Sequence, residues 1–178
     1  MTLWDKIRNY FYKKELAERL RTLNVTRAIT NLNDAKSIGL IYDSTDPAND
    51  SVIAKFASDL RKQSKSVDIL GFINDKKLNY KAGIAAFNKK NLTWALVPEG
   101  GEVETFSEKK YDLLLACFVG ENLPLEFIAR VSNAKWRVGF YDASKTDCYD
   151  MMINMGEHKE LPYLLEQSVY FLNQIKAA

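Results

Sequence analysis

The side chains that could do chemistry in this chain are few: one histidine, two cysteines, and a loop rich in aspartate, DSTDPAND, from Asp43 to Asp50. Any histidine-based triad or metal site would have to use His158, which stands in GEHKE, a polar turn where a solvent-exposed role is expected. Cys148 has no histidine beside it, and Cys117 falls in the apolar run LLLACF, where burial keeps a thiol inert. Spacings of the CxxC or HxxxH kind are absent, so no metal site is expected. The carboxylate pairs Asp147 with Asp150 and Glu99 with Glu102 are of a kind that ordinary surfaces carry. No constellation assigns a catalytic residue, and no cofactor is expected.

The loop after Asp43 repays a closer reading. Ser44 and Thr45 stand beside a helix start, where backbone N–H groups can hold a phosphate. Three aspartates share that loop with no glycine or lysine, so they would repel an anion, and turns and helix caps use aspartate anyway. Neither GxGxxG nor GxxxxGK[ST] occurs, which argues against dinucleotide and P-loop enzymes. A receiver-like phosphorelay needs an acidic pair at the end of its first strand; here that strand ends in Asp43 alone, and Lys145 does not make up the difference. Should the chain bind a nucleotide or a sugar nucleotide, the expected place is the carboxyl ends of the strands, at Asp43, Ser44, Thr45, Val119, Gly120 and Asp142.

The elements that would position these residues are legible in part. Leu113 to Phe118 is an apolar run without alternation, as expected of a strand covered on both faces inside a parallel sheet. Pro124 opens a short helix with Leu125, Phe127, Ile128 and Val131 as its buried stripe, and Trp136, Val138 and Phe140 alternate with Lys135, Arg137 and Gly139 in the next strand. Strand, helix and strand make a βαβ unit. A second unit runs from the strand SIGLIY, Ser37 to Tyr42, through a helix buried by Val52, Ile53, Phe56 and Leu60, to a strand ending at Ile73. Between Asn74 and Lys110 the pattern weakens: a solvated turn at 74–77, an apolar piece at 82–87 holding a short strand, a turn at 98–101 and a briefly helical return at 103–109 are expected. A last edge strand at 150–154 and a helix at 160–177 complete the chain, the helix facing the sheet with Leu161, Leu164, Leu165, Val169, Phe171, Leu172 and Ile175.

Charge is unevenly spread. The net of +2 divides into eight basic and four acidic residues over 1–36, a net of +4, and 17 basic against 19 acidic residues over the rest, a net of −2. The basic end opens with a helix to about Leu23, capped by Thr2 with Asp5, on which Leu3, Trp4, Ile7, Tyr10, Phe11, Leu16, Leu20 and Leu23 recur at spacings of three and four and are expected on one broad face. A helix of this kind serves either as a peripheral core element or as a docking helix for RNA, a membrane surface or a partner protein. At 178 residues the chain can bury roughly 70% of its unfolded surface in one core. Its cysteines read as free thiols, it has no long apolar run, and its first thirty residues are charged throughout, so a cytoplasmic protein is expected.

The segment YDLLL, the following PLEFIARVSNAKWRVGFYD and the sequel YDMMIN resemble an uncharacterised family of short single-domain proteins from Bacteroidetes, over most of the chain. No activity is implied by that resemblance. Tyr111 to Tyr141 is also similar to one Rossmann-like half of the heptosyltransferase-type glycosyltransferases, although those enzymes need two such domains and their catalytic acid has no counterpart here.

The expectation is an α/β protein: residues 1–36 a basic amphipathic helix with its connection, and residues 37–178 a single three-layer Rossmann-like domain with a mostly parallel sheet of about five strands. The expected function is a non-enzymatic binding protein that docks on a larger assembly, RNA or the ribosome, through Lys6, Arg8, Lys13, Lys14, Arg19 and Arg21. Nucleotide or sugar-nucleotide binding at the strand ends is the alternative, and peripheral membrane contact by Trp4, Ile7 and Phe11 the third.

Overall fold

The computed structural model describes residues 2–76 and 84–176. Lys77, Ala82 and Ala177, which fall in the turn, the apolar piece and the last helix expected above, lie outside the described residues. Among the described residues six strands form one sheet: β1 (Ser37–Asp43), β2 (Ser66–Ile73), β3 (Ala85–Asn88), β4 (Leu113–Cys117), β5 (Trp136–Phe140) and β6 (Met151–Ile153). Every pairing is parallel and the order is β3-β2-β1-β4-β5-β6. The edge strand expected at 150–154 is β6, three residues paired to Val138, Gly139 and Phe140, and it brings the expected sheet of about five strands to six.

Continuous apolar runs make the central strands. Leu113 to Cys117 are all buried, and Leu40 sits opposite Ile69 on one side and Leu115 on the other. Helices α2 (Pro47–Lys62) and α5 (Leu161–Gln174) cover one face; α3 (Gly101–Glu108) and α4 (Leu123–Val131) cover the other. The long first helix, α1 (Leu3–Thr22), packs outside this sandwich on α4. Its start is the capping box read from the sequence: the Asp5 N–H donates to Thr2 Oγ1 at 3.2 Å and the Thr2 N–H to Asp5 Oδ2 at 2.9 Å.

Three expectations about side-chain faces need correcting. The apolar residues of α1 do not share one buried face: Tyr12 and Leu16 meet Phe127, Leu123 and Val131 of α4 with Ala95 and Val97, while Leu3, Trp4, Tyr10, Phe11 and Leu20 are exposed. The stripe of α4 is buried as expected and serves two cores, with Leu125 and Ile128 in the sheet core and Phe127 and Val131 turned to α1. Arg137 of β5 is buried, not solvent-facing, because Asp150 accepts from its Nε at 2.9 Å and its Nη2 at 2.8 Å. Phe171 of α5 is exposed rather than facing the sheet.

Candidate functional site

In a sheet of this order, chain direction away from the middle reverses between β1 and β4, so the loops at their carboxyl ends part and leave a crevice. Asp43 ends β1 there and clamps both loops. Its Oδ1 accepts the Thr45 N–H at 2.8 Å, and its Oδ2 accepts Asn122 Nδ2 from the opposite loop at 3.2 Å. The neighbouring acids are spoken for as well. Asp46 caps α2 by accepting the Ala48 N–H at 2.9 Å, and buried Asp50 accepts the hydroxyls of Tyr42 and Ser44.

The six strand-end residues proposed from sequence therefore part company. Asp43, Thr45 and Val119 line one groove of about 570 Å³, whose other walls include Asp46, Asn49, Lys159 and Glu160. Ser44 turns away to Asp50. Gly120 holds φ +91° in the loop after β4; a Cβ there would meet nothing within 4 Å, so the glycine serves the backbone conformation and not a close approach. Asp142 belongs to a different neighbourhood: Ser144 donates to it through its N–H at 2.9 Å and its hydroxyl at 2.7 Å, and Lys145 Nζ lies 3.5 Å away.

On the other side of Asp43 lies a second groove, about 620 Å³, that sequence reasoning missed. Arg8 of α1, Lys76 after β2, Lys89 after β3 and Trp94 contribute to its walls, with Asn74, Glu121 and Asn122. These residues sit on separate segments, and no local spacing links them. Phe11 packs its ring edge-on to Trp94, with centroids 4.9 Å apart.

Sequence reasoning also missed the ionic network at the end of β5. Glu126 on α4 accepts Lys145 Nζ at 2.6 Å and the Asn122 N–H at 3.0 Å, while Arg130 stands 3.5 Å from its second oxygen. Arg130 in turn bonds Asp147 through Nε at 2.9 Å. Asp147 and Asp150 thus each pair with an arginine, and are not a carboxylate pair. The Glu126/Arg130 spacing of four on a helix was the one available signal. Cys148 lies beside this network; burial pushes its thiol up to about 11, and burial raises Cys117 too. His158 is exposed and stacks on Tyr163 at 4.1 Å. Among the described residues no cluster of His, Cys, Asp and Glu could hold a metal ion, and no helix is long and apolar enough to cross a membrane.

The six basic residues expected to make contacts separate into two groups. Arg8 lies 3.0 Å from Asp5 and Arg19 lies 3.5 Å from Glu15 on the same helix, whereas Lys6, Lys13, Lys14 and Arg21 are exposed and form no ion pair among the described residues.

The family model described as "Family of unknown function (DUF6913)" matches residues 8–175. The chain belongs to this family. The match runs from inside α1 through α5, so it takes in the Asp43 clamp, both grooves' strand ends and the Glu126 network. No curated protein matches the chain. The residues behind the likeness to a glycosyltransferase half are packing residues: Leu113 to Leu115 and Val138 are buried, and Arg137 is held by Asp150.

Proposed function

We propose that the protein is a non-enzymatic docking protein that binds RNA, on the ribosome or another ribonucleoprotein, through the outward face of α1. One observation carries this reading. On α1, Lys6, Lys13, Lys14 and Arg21 are exposed and form no ion pair among the described residues, and the same helix exposes the rings of Trp4, Tyr10 and Phe11. Cations meet phosphates and exposed rings stack on unpaired bases, the pairing of chemistries that single-stranded nucleic acid requires.

The test is sedimentation of the intact protein with cell extract on a density gradient at low and high salt. Co-migration with ribosomal particles at low salt, lost at high salt and in a Lys13→Glu/Lys14→Glu variant, is the expected result. Four phosphate contacts on a single strand would give a slope of log K against log salt of about −3. Flotation with anionic vesicles, with no sedimentation beside ribonucleoprotein, would replace RNA by a membrane surface.

A further inference from the structure

We infer that the groove beside Asp43 binds a 5′-nucleotide unit bearing a single phosphate, its ring against Trp94 and its phosphate among Arg8, Lys76 and Lys89. This does not depend on the docking role of α1. The groove's volume, about 620 Å³, is in the range that small ligands fill.

Its chemistry narrows the ligand. A phosphate in a sheet of this type usually rests on a helix N-terminus, but the helices that follow the two crevice strands, α2 and α4, already carry side-chain caps. Asp46 occupies the start of α2, while Asn122 Oδ1 accepts the Leu125 N–H at 3.3 Å and Glu126 accepts the Asn122 N–H at 3.0 Å at the start of α4. Anion recognition therefore passes to side-chain cations: Lys76 and Lys89 line the groove from two segments of the chain, and Arg8, which also pairs with Asp5 at 3.0 Å, adds a third from α1. Glu121 and Asp43 line the same groove and would repel a longer phosphate chain, which favours one phosphate over three. The indole of Trp94 is 60% exposed, with Leu92 and Leu96 also lining the groove, and offers a planar ring a stacking surface. Asn74 also lines the groove and carries an amide that suits ring or sugar polar groups, whereas the Asn122 amide is held by Asp43 and the start of α4.

The unit could be a free nucleotide or the phosphorylated end of an RNA strand, and titration calorimetry on the full chain distinguishes the two. AMP and UMP are compared with adenosine, ATP and a tetranucleotide with and without a 5′ phosphate. Saturable binding of AMP or UMP, with adenosine and ATP each weaker, is expected; a phosphorylated tetranucleotide tighter than AMP identifies the strand end, and AMP tighter identifies the free nucleotide. Trp94→Ala and Lys89→Glu, both at exposed positions, should each weaken binding about tenfold, the loss of one charge-assisted bond or one stacked ring. Absence of saturable heat with every ligand at millimolar concentration, or unchanged binding in both variants, would overturn the inference. Lys13→Glu/Lys14→Glu should keep nucleotide binding intact while it abolishes sedimentation with ribonucleoprotein, so the two readings fail separately.

Discussion

Glu126 Oε1 lies 2.6 Å from Lys145 Nζ, and the pair ties the first turn of α4 to the loop between β5 and β6. The Glu126 carboxylate is 1% exposed, and its charge is tolerable only because Lys145 and Arg130 face it and the Asn122 N–H donates to it. Lys145→Met should leave that charge undercompensated and destabilise the protein by about 3 kcal/mol in urea unfolding. Glu126→Gln/Lys145→Met together should cost less than the two single changes added, the sign of a direct coupling. A loss under about 1 kcal/mol for Lys145→Met would mean that Arg130 alone suffices.

Asp112 provides a pH signature at the opposite end of the sheet. Burial by itself would raise its pKa, but Lys135 at 2.8 Å and the N–H groups of Lys36 and Ser37, each at 3.0 Å, outweigh it and bring the carboxyl to about 2 from 3.8. A depressed carboxyl contributes stability that is complete above its unfolded pKa of 3.8 and is lost as pH falls through about 2. The contribution is about 2 kcal/mol. Asp112→Asn should lose it at neutral pH and flatten the acid limb of the stability profile between pH 4 and 2; an unchanged limb would deny the role.

Gly139 offers a steric test. A Cβ at that position would lie 2.5 Å from the Tyr149 ring, and Tyr149 is buried against the sheet. Gly139→Ala should destabilise by about 2 kcal/mol through overpacking, read as a lower urea midpoint at constant slope. Gly139→Ala with Tyr149→Leu should recover part of the loss.

Tyr12 holds α1 to the domain. Its ring packs on Phe127 with centroids 5.7 Å apart, and its hydroxyl donates to the Leu123 carbonyl at 3.1 Å. Tyr12→Phe should cost about 1 kcal/mol for the hydrogen bond. Tyr12→Ala should release α1 without unfolding the sheet, so amide exchange accelerates over residues 3–22 while β1 and β4 stay protected. Uniform acceleration across the chain would show that α1 is integral to the core.

Residue patterns alone reached the sheet because strands buried on both faces must be apolar throughout: Leu113 to Cys117 could be little else. Asp43 was legible as the end of such a strand, and Thr2 with Asp5 as a helix start, since caps and strand ends are local events. Periodicity could not say which apolar residues of α1 would meet α4, because they lie around much of the helix and only the docking partner decides which are covered. The same limit applies to the site. Arg8, Lys76, Lys89 and Trp94 have no spacing that connects them in sequence; parallel strands bring their carboxyl ends to one edge, and α1 packed on α4 carries Arg8 to it. Local chemistry thus determined the elements and their order along the chain, while the groove and the Glu126 network exist only through contacts between residues far apart in sequence.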